Sequence, residues 1–402
     1  MELDKDNHYQ ALGDVITCHI TESLYHRITF AKFMDLALYH PQHGYYATTP
    51  TKIGAGGDFF TSPHLGSDFG ELMAEQFGQL WQLLHCPDRF TLVEMGAGQG
   101  LLAGDVLQHL QQHYPEFLSC LSYTIIERAP ALVVEQRQRL QKFVNQGVDL
   151  SWSTLETLAS HSITGCFFSN ELVDALPVHQ VIVQDGTLKE IYVTLATGDR
   201  ADSPFVEVIG ELSTPELAAY FQRLGIDLTS DCYPDGYRTE VNLAALKWMA
   251  QVAKCLHQGY VLTIDYGYTS DRYYNPMRSA GTLQCYYRHR YHSNPYIHVG
   301  LQDITAHVDF STLQKYGEQC GLHTVGFTKQ GLFLMSLGLG DRIAALSQST
   351  VTELQQMNEV LRRRDALQTL IDPTGLGNFG VLIQSKGVNR NEALIGLRGE
   401  LI

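Results

Sequence analysis

The sequence predicts an α/β protein whose central sheet is mostly parallel. Short apolar runs, each ending near a polar or glycine-containing turn, alternate with segments of helical periodicity. This alternation is typical of βαβ units, whose ligands bind at the carboxyl ends of the strands. The chain has no fixed-period repeat and no low-complexity tract, which excludes repeat architectures.

Each element of this sheet is predicted from a local pattern. The expected strands are FTLVEM (90–95), SYTIIE (122–127), VDLSWS (148–153), GCFFSN (165–170) and YVLTIDYG (260–267). Helical patterns cover Leu101–Gln112, Pro130–Phe143 and Glu240–His257. Near the C-terminus, HTVGFTKQ and FGVLIQS are two further strands, separated by helices over roughly 338–370.

Three segments fall outside the alternation and set the expected domain organisation. Residues 1–85 form an N-terminal helical and turn-rich extension, which the family resemblance described below implies to close over the cofactor, and residues 86–402 form the main domain. That domain contains two insertions. The first, at about 184–235, follows the hairpin pattern VHQVIVQDGTLKEIYVTL, and the second, at 268–309, is a Tyr-, His- and Arg-rich loop that covers the site.

Composition and charge exclude several function classes. The chain has 402 residues, 44% of them hydrophobic, and a formal net charge of −15. Phosphate groups would be repelled, so nucleic acid and anionic membranes are not expected as partners, whereas an arginine-bearing segment would be attracted. Eight scattered cysteines without a C-x-x-C pair indicate free thiols in a reducing compartment.

The chain shows neither a targeting pattern nor a membrane-spanning pattern. Its start, MELDKDNHYQ, is polar and acidic, unlike a signal or transit peptide. No apolar stretch approaches the roughly 20 residues of a membrane helix. The sequence therefore predicts a cytoplasmic location and no membrane span.

The turn after the first strand carries the clearest ligand signal. In TLVEMGAGQG, three glycines follow Glu94: Gly96, Gly98 and Gly100. They permit positive φ and close approach of a ligand to the backbone. Leu101 occupies the position where a dinucleotide fingerprint needs a small residue, and no Lys-Ser/Thr pair follows as in a phosphate loop. The remaining pattern, an acid before G-x-G-x-G, is associated with S-adenosylmethionine (SAM); a glycine turn without ligand is the alternative.

The next two strands add candidate nucleoside contacts. Glu127 ends the second strand, where a carboxylate can accept hydrogen bonds from both hydroxyls of a ribose. A solvated charge at a strand end is the alternative. Trp152, in the third strand, would offer its ring to adenine unless it belongs to the core.

The fourth strand opens into the acidic segment FFSNELVDALPVHQV. Asn170, Glu171 and Asp174 follow the strand, and Glu171 and Asp174 can face the same side of a short helical turn. Alternatively, these residues cap a helix that begins near Asn170 and interact with its dipole. Both roles are compatible if Asn170 caps the helix and Glu171 points into the site.

Six stretches of the chain together resemble one family. They are ITFAKFMDLALYHPQHGYY (28–46), GGDFFTSPHLGSDFG (56–70), VEMGAGQGLLAGDVL (93–107), SNELVDALPV (169–178), LTIDYGY (262–268) and GLQDITAHVDF (300–310). They resemble the MidA-like proteins, which are SAM-dependent methyltransferases and include a mitochondrial complex I assembly factor that methylates an arginine of a complex I subunit. The resemblance implies a class I, Rossmann-like methyltransferase fold with SAM as cofactor.

The resemblance also assigns site residues that local patterns do not. The turn GGDFFTSP would lie over the cofactor, with Gly57, Asp58 and Thr61 near the sulfonium, although a structural loop is the alternative. From its position after the fourth strand, Asn170 is expected to join the cofactor-binding set, and the His-rich cover segment offers His307 or Asp309 to line the acceptor pocket. A metal is not expected, because no metal motif matches the spacing of His289, His292, His298, Asp303 and His307.

The expected function is methyl transfer from SAM to an arginine ω-nitrogen of a protein partner. Arginine has a pKa of about 13.8, so removing its proton beforehand at pH 7 costs on the order of 9 kcal/mol. Glu171 is therefore expected to grip the guanidinium bidentately, and Asp174 or another acid to receive the proton. By the resemblance, the partner is a respiratory-complex subunit, and a homodimer is also expected. The alternatives are a small-molecule acceptor and a binding or assembly factor without essential catalysis.

Overall fold

The computed structural model describes residues 2–48, 61–197, 203–288, 290–348, 354–389 and 393–400. The helices are α1 (Glu2–Glu22), α2 (Phe30–Tyr39), α3 (Tyr45–Thr48), α4 (Asp68–Leu83), α5 (Leu101–His113), α6 (Pro115–Cys120), α7 (Pro130–Asn145), α8 (Pro215–Leu224), α9 (Leu243–Cys255), α10 (Ser270–Tyr273), α11 (Phe310–Gln319), α12 (Gln330–Ser336), α13 (Leu339–Gln348) and α14 (Leu354–Ile371). Short 3-10 helices cover Ser62–Leu65, Leu155–Thr157, Leu376–Asn378 and Ile395–Glu400. Among these described helices, none is long and apolar enough to cross a membrane.

The strands fall into four sheets. They are β1 (Ile28–Thr29), β2 (Phe90–Met95), β3 (Leu121–Ile126), β4 (Asp149–Ser153), β5 (Ile163–Asn170), β6 (His179–Gln184), β7 (Thr187–Leu195), β8 (Phe205–Gly210), β9 (Arg238–Val241), β10 (Leu256–Asp265), β11 (Gly267–Tyr268), β12 (Gln284–Tyr287), β13 (Arg290–His292), β14 (Asp303–Thr305), β15 (Val308–Asp309), β16 (His323–Lys329) and β17 (Gly380–Lys386).

A seven-stranded sheet in the order β16-β17-β10-β5-β2-β3-β4 forms the centre of the molecule. Strands β10, β5, β2, β3 and β4 are parallel, whereas β17 is antiparallel to both of its neighbours. The predicted α/β class with a mostly parallel sheet is confirmed. Because the parallel strands share one direction, the ends of β2, β3, β5 and β10 meet at the same sheet edge.

Burial of both sheet faces explains why the central strands are continuous apolar runs. Leu92 of β2 packs in one cluster with Phe77 of α4 and Val106 of α5. The next residue, Val93, points to the other face, where it packs with Met249 of α9. All six residues of β2 are buried, as expected for a parallel strand covered on both sides.

The predicted hairpin forms part of a second, antiparallel sheet in the order β1-β7-β6-β9, with β8 paired to β7. Asp185 and Gly186 connect β6 to β7 with φ of 52° and 68°, which is the left-handed geometry of a type I′ turn. Strand β1 pairs with β7, so the second sheet connects the N-terminal segment to the insertion.

Two predicted elements differ from the structure. The helix predicted over Glu240–His257 begins at Leu243, because Glu240 belongs to β9 and the Asn242 side chain accepts a hydrogen bond from the Ala245 N–H at 2.8 Å, capping the helix. The cover segment 268–309 is not an irregular loop. It contains α10, β11 and β15 and a three-stranded sheet in the order β13-β12-β14, here called the cover sheet. Its strands are only three or four residues long, too short to produce a periodic sequence pattern.

Candidate active site

The glycine turn lies at the carboxyl end of β2, as the sequence predicts. Gly96, Gly98 and Gly100 have φ of 73°, 52° and 75°, and Gly100 is the N-cap residue of α5. A Cβ atom at Gly96 would lie 2.9 Å from the Leu172 side chain, but one at Gly98 would meet no atom within 4 Å. Gly98 therefore presents bare backbone to an open space.

That space is a cavity of about 710 Å³, here called the glycine-turn cavity. Its walls come from the edge where the parallel strands end and from the N-terminal segment. The predicted site residues that line it are Thr61, Glu94, Gly96, Gly98, Glu127, Asn170 and Glu171. A cavity of this size suits a ligand as large as a nucleoside derivative.

Two carboxyl groups of the glycine-turn cavity are held by neighbouring side chains. Glu94 is 3% exposed and accepts a 2.7 Å hydrogen bond from the Tyr123 hydroxyl. Burial, together with the charge of Glu127, raises the pKa of Glu94 to about 7. Glu127 accepts hydrogen bonds from the Ala129 N–H at 3.0 Å and from Gln136 Nε2 at 3.1 Å. Both carboxyl groups therefore have fixed orientations.

The structure places Trp152 outside the lining of this cavity. Its indole N–H donates to Gln136 Oε1 at 3.0 Å. Gln136 is fully buried, and its amide group donates to the Gly98 carbonyl at 2.7 Å as well as to Glu127. Trp152 thus supports the wall of this cavity through Gln136. The tryptophan in the lining is Trp248, on α9.

The N-terminal segment reaches the same cavity. Thr61 lies in its wall, and its hydroxyl is 2.7 Å from His64 Nδ1, while His64 Nε2 is 3.4 Å from Gln99 Oε1 in the glycine turn. Gly57 and Asp58, predicted from the same stretch, lie outside the described residues.

The segment after β5 is a turn, and neither the short helical turn nor the alternative of a helix beginning near Asn170 is present there. Glu171 has φ of 54°, in the left-handed region, and its N–H donates to the Ile264 carbonyl at 2.9 Å. The N–H groups of Val173 and Asp174 donate to Asp265 Oδ2 at 2.9 and 3.3 Å. The carboxylate of Asp265, at the end of β10, therefore binds N–H groups that lie at a turn and not in a helix.

This turn concentrates carboxyl groups. Burial raises the pKa of Glu171 to about 8, with a further contribution from the charge of Asp174. Burial likewise raises the pKa of Asp174 and of Asp265. Among the ion pairs of the described residues, none involves these three acids. A cation entering here would favour the charged forms of all three.

A second cavity of about 590 Å³ adjoins the first and is here called the cover cavity. The cover sheet, β11 and the loop after α14 contribute to its walls. Its aromatic residues are Tyr46, Tyr266, Tyr268, Tyr286, Tyr291, His307 and Phe379, and its acids are Glu171, Asp174 and Asp303. Tyr46 and Glu171 line both cavities, so the two spaces meet at these side chains.

His307 lies in the cover cavity as a neutral ring. It stacks on Tyr268 with ring centroids 5.0 Å apart and planes 9° apart, and it meets the edge of Tyr266. Burial lowers the pKa of His307 to about 4, and the charge of Arg278 contributes. At pH 7 this imidazole can therefore donate one hydrogen bond and accept another, but it is a weak base.

Several polar atoms at the two cavities are buried without a partner among the described residues. They are Asn170 Oδ1, Asp174 Oδ1, Thr305 Oγ1 and His307 Nδ1. Buried polar atoms are normally hydrogen-bonded, because leaving one unpaired costs about 1–3 kcal/mol. Their convergence here fits a site whose ligands complete the hydrogen bonding.

Comparison with known proteins identifies the chain's family. A family model described as "Putative S-adenosyl-L-methionine-dependent methyltransferase" matches residues 72–328. The chain belongs to this methyltransferase family. A protein of Burkholderia thailandensis, solved with S-adenosylhomocysteine bound, is 30% identical with a TM-score of 0.85, and the match covers 98% of this chain and 96% of that protein. The class I, Rossmann-like fold and the SAM cofactor are therefore confirmed.

Named relatives extend over most of this methyltransferase. The Drosophila melanogaster protein arginine methyltransferase NDUFAF7 homolog, a mitochondrial protein, is 29% identical over 90% of this chain and 82% of its own length. Human protein arginine methyltransferase NDUFAF7, also mitochondrial, is 27% identical over 89% of this chain and 80% of its own. The predicted cytoplasmic location is wrong on this comparison, because these relatives are mitochondrial proteins. That prediction depended only on the first residues and on composition.

The residues of the glycine-turn cavity fit the SAM of this family. The bare backbone at Gly98 gives room for a ligand against the main chain, and Asn170 Oδ1 is a buried acceptor without a partner in the described chain. The carboxyl groups of Glu94 and Glu127 suit a ligand that carries positive charge and ribose hydroxyls. No group of three or more potential metal ligands occurs within the described ranges, and His289 lies outside them.

Sequence reasoning missed several residues that the fold brings to the methyltransferase site. Tyr39 and Arg128 line the glycine-turn cavity, where the guanidinium lies 4.6 Å from the Tyr39 ring centroid. Tyr46 and Asp303 line the cover cavity. They come from three segments far apart in sequence, because Tyr39 and Tyr46 are neighbours in the N-terminal segment. Tyr39, Tyr46 and Asp303 lie within the stretches that carry the family resemblance, which is the one signal that could have indicated them.

Proposed function

We propose that this methyltransferase transfers a methyl group from SAM to an arginine ω-nitrogen of a protein. The observation that carries the proposal is the junction of the two cavities at Glu171 and Tyr46. One cavity has the glycine turn of the SAM-binding family, and the other combines aromatic side chains with three acids. Such a combination suits a guanidinium, which binds carboxylates through its N–H groups and stacks on aromatic faces.

The cofactor would be held by the residues of the glycine-turn cavity. Glu127, fixed by Ala129 and Gln136, is suited to accept hydrogen bonds from the ribose hydroxyls. Thr61 and Asn170 would face the methionine part, and Trp248 is suited to pack against the adenine. Bound in this way, SAM supplies an electrophilic methyl group whose bond to sulfur breaks with the electron pair leaving on sulfur.

Glu171 is placed to bind the acceptor and orient it. Its side chain borders both cavities, and its left-handed backbone is fixed by the hydrogen bond to Ile264. Burial holds the pKa of Glu171 near 8, but a guanidinium beside it would lower that value and restore the carboxylate. A bidentate pair then presents one guanidinium nitrogen to the methyl group.

The proton of the methylated nitrogen needs an acceptor after transfer. Asp174 lines the cover cavity and has a buried Oδ1 without a partner in the described residues. Burial raises the pKa of this carboxyl, so it takes up a proton more readily than an exposed aspartate does. His307, with a pKa near 4, is a weaker candidate and serves better as a hydrogen-bonding wall.

Relatives and charge support a protein substrate. The Drosophila and human relatives are named protein arginine methyltransferases, and the net charge of −15 would attract a basic segment. A respiratory-complex subunit as the substrate, and a homodimer as the working form, are further parts of the proposal. The first of these is supported by the family resemblance.

The proposal is tested by labelling a lysate with heavy-methyl SAM and locating the label by tandem mass spectrometry. The wild-type protein should label the guanidinium of an arginine in one or a few proteins. The Glu171→Gln variant should bind S-adenosylhomocysteine in isothermal titration but transfer about ten- to hundredfold less label. A label on a small molecule, or on another side chain, would reject arginine as the acceptor.

A further inference from the structure

The acids of the cover cavity come from two different parts of the fold. Glu171 and Asp174 lie in the turn after β5, whereas Asp303 is the first residue of β14 in the cover sheet. The proposed function uses only the first two. Asp303 is 3% exposed, so a charge on its carboxylate is little screened by water within the cavity.

Two donors fix the orientation of Asp303. The Tyr46 hydroxyl donates to Asp303 Oδ1 at 3.0 Å, and the Ile304 N–H donates to the same oxygen at 2.9 Å. Burial, together with the charge of Asp303, raises the pKa of Tyr46 well above its ordinary value. The phenol therefore keeps its proton at neutral pH and remains a donor to Asp303.

Tyr46 connects this carboxylate to the cofactor side. It is one of the two side chains that line both cavities, the other being Glu171. Its ring packs against Tyr39, with centroids 5.3 Å apart, and the Tyr39 hydroxyl donates to the Ala175 carbonyl in the turn after Glu171. The hydroxyl of Tyr46 thus orients Asp303 from the junction of the two cavities, where the proposed function brings the methyl group and the acceptor together.

We propose that Asp303 is a second carboxylate that binds the acceptor guanidinium, from the cover-sheet wall of the cavity, and that Tyr46 is its positioning residue. This inference rests on the proposed function. A guanidinium has five N–H donors in a planar fork, so one bidentate carboxylate leaves other donors free for a second one. An ammonium offers three donors from one point and spans two separated carboxylates less well. The pair would therefore select arginine over lysine.

The test compares methyl transfer to acetyl-Gly-Arg-Gly amide and to its lysine counterpart. Asp303→Asn and Tyr46→Phe are measured separately and together, with SAM affinity determined by isothermal titration. Tyr220→Phe is the matched control, because the Tyr220 hydroxyl donates to buried Asp309 at 3.2 Å and neither residue lines the glycine-turn cavity or the cover cavity. Thermal unfolding of each variant checks that it is folded.

The inference predicts a change in acceptor binding only. Asp303→Asn should raise KM for the arginine peptide by about tenfold or more, which is the usual cost of losing a charged hydrogen-bond partner, and leave the SAM affinity within about twofold. Tyr46→Phe should raise KM less, and it should add nothing in the Asp303→Asn background. Tyr220→Phe should match the wild type in both constants.

Two outcomes would refute the inference, and they can be told apart. If the wild type methylates the arginine peptide and Asp303→Asn leaves its KM and the arginine preference unchanged, the second carboxylate is refuted while the proposed function stands. If the wild type transfers no methyl group to any arginine, the proposed function fails, and the inference fails with it.

Discussion

Replacing Glu171 by glutamine separates the charge of this side chain from its shape. The amide is nearly isosteric and can still lie beside Asn170, whose Nδ2 donates to Glu171 Oε1 at 3.0 Å in the wild type. What the variant loses is the ability to become a carboxylate. The burial that raises the pKa of Glu171 to about 8 makes this loss visible as a change in pH dependence.

The substitution should change both the size of kcat/KM and its dependence on pH. A charged hydrogen bond contributes about 1.5–3 kcal/mol, so losing one of a bidentate pair lowers kcat/KM for the arginine acceptor by about ten- to hundredfold. Below the pKa of Glu171, the wild type must release a proton before it binds the guanidinium. Its kcat/KM should therefore rise by up to about tenfold per pH unit from pH 6 towards pH 8. In Glu171→Gln that rise should be absent.

Initial rates with tritiated-methyl SAM at saturating concentration, from pH 6 to pH 9, measure both changes. The peptide concentration is varied at each pH, so that kcat and KM are obtained separately. If Glu171→Gln keeps the wild-type slope against pH, another group titrates and the role given to Glu171 is refuted. An unchanged kcat/KM at pH 8 would refute it independently.

Protein stability supplies a control that needs no acceptor. The folded-state pKa of Glu171 is raised from 4.5 to about 8, so folding favours the protonated form. The resulting stabilisation is complete below pH 4.5 and is lost as the pH rises through 8. Relative to the wild type, Glu171→Gln should therefore gain a few kcal/mol between pH 5 and pH 8.5, because each pKa unit corresponds to about 1.36 kcal/mol. Thermal unfolding at both pH values measures the gain, and equal midpoint differences would contradict the raised pKa.

Three other changes test the walls of the two cavities. Trp152→Phe removes the hydrogen-bond donor to Gln136, so SAM affinity should fall about three- to tenfold in isothermal titration. The kcat at saturating SAM should stay within about twofold of the wild type. An unchanged SAM affinity would show that Trp152 does not support the cavity wall through Gln136. In Gly98→Ala the Cβ meets no protein atom, but a φ of 52° costs an alanine about 1–2 kcal/mol, so the variant should unfold at a lower temperature than the wild type. SAM binding should weaken by about tenfold or more, and unaltered binding would mean that SAM does not approach this backbone. His307→Asn should keep the wild-type pH dependence of kcat between pH 6 and pH 9, because the imidazole has a pKa near 4. If the substitution removes a change of kcat with pH centred near pH 6.5, His307 titrates during turnover and this prediction is wrong.

The parts of the site that follow a strand were predictable from sequence. A central parallel strand must be apolar along its length, so β2 and β5 are recognisable, and the turns after them carry the glycines and the acids at one sheet edge. Glu127 and Glu171 therefore reach the glycine-turn cavity as expected. Trp152 lies at the predicted strand but behind Gln136, because a strand pattern fixes where a residue lies but not which side chains surround it.

The cavity walls that come from the N-terminal segment and the cover sheet were not predictable from strand patterns. Asp303 and Tyr46 meet through a hydrogen bond between residues 257 positions apart, and the cover sheet that presents Asp303 is built from strands too short for periodicity. The sequence left a helix start near Asn170 open as an alternative at this turn, since acids near an asparagine suit both a cap and a turn. Asp265, which holds that turn, comes from a distant strand.

A structure of the complex with S-adenosylhomocysteine and an arginine peptide tests the central claim most directly. S-adenosylhomocysteine is expected in the glycine-turn cavity, and the guanidinium is expected in the cover cavity, bound by Glu171. One guanidinium nitrogen should lie a few ångströms from the sulfur, close enough for a methyl group to be transferred between them. An arginine bound outside the cover cavity, or a guanidinium there without contact to Glu171, would contradict it.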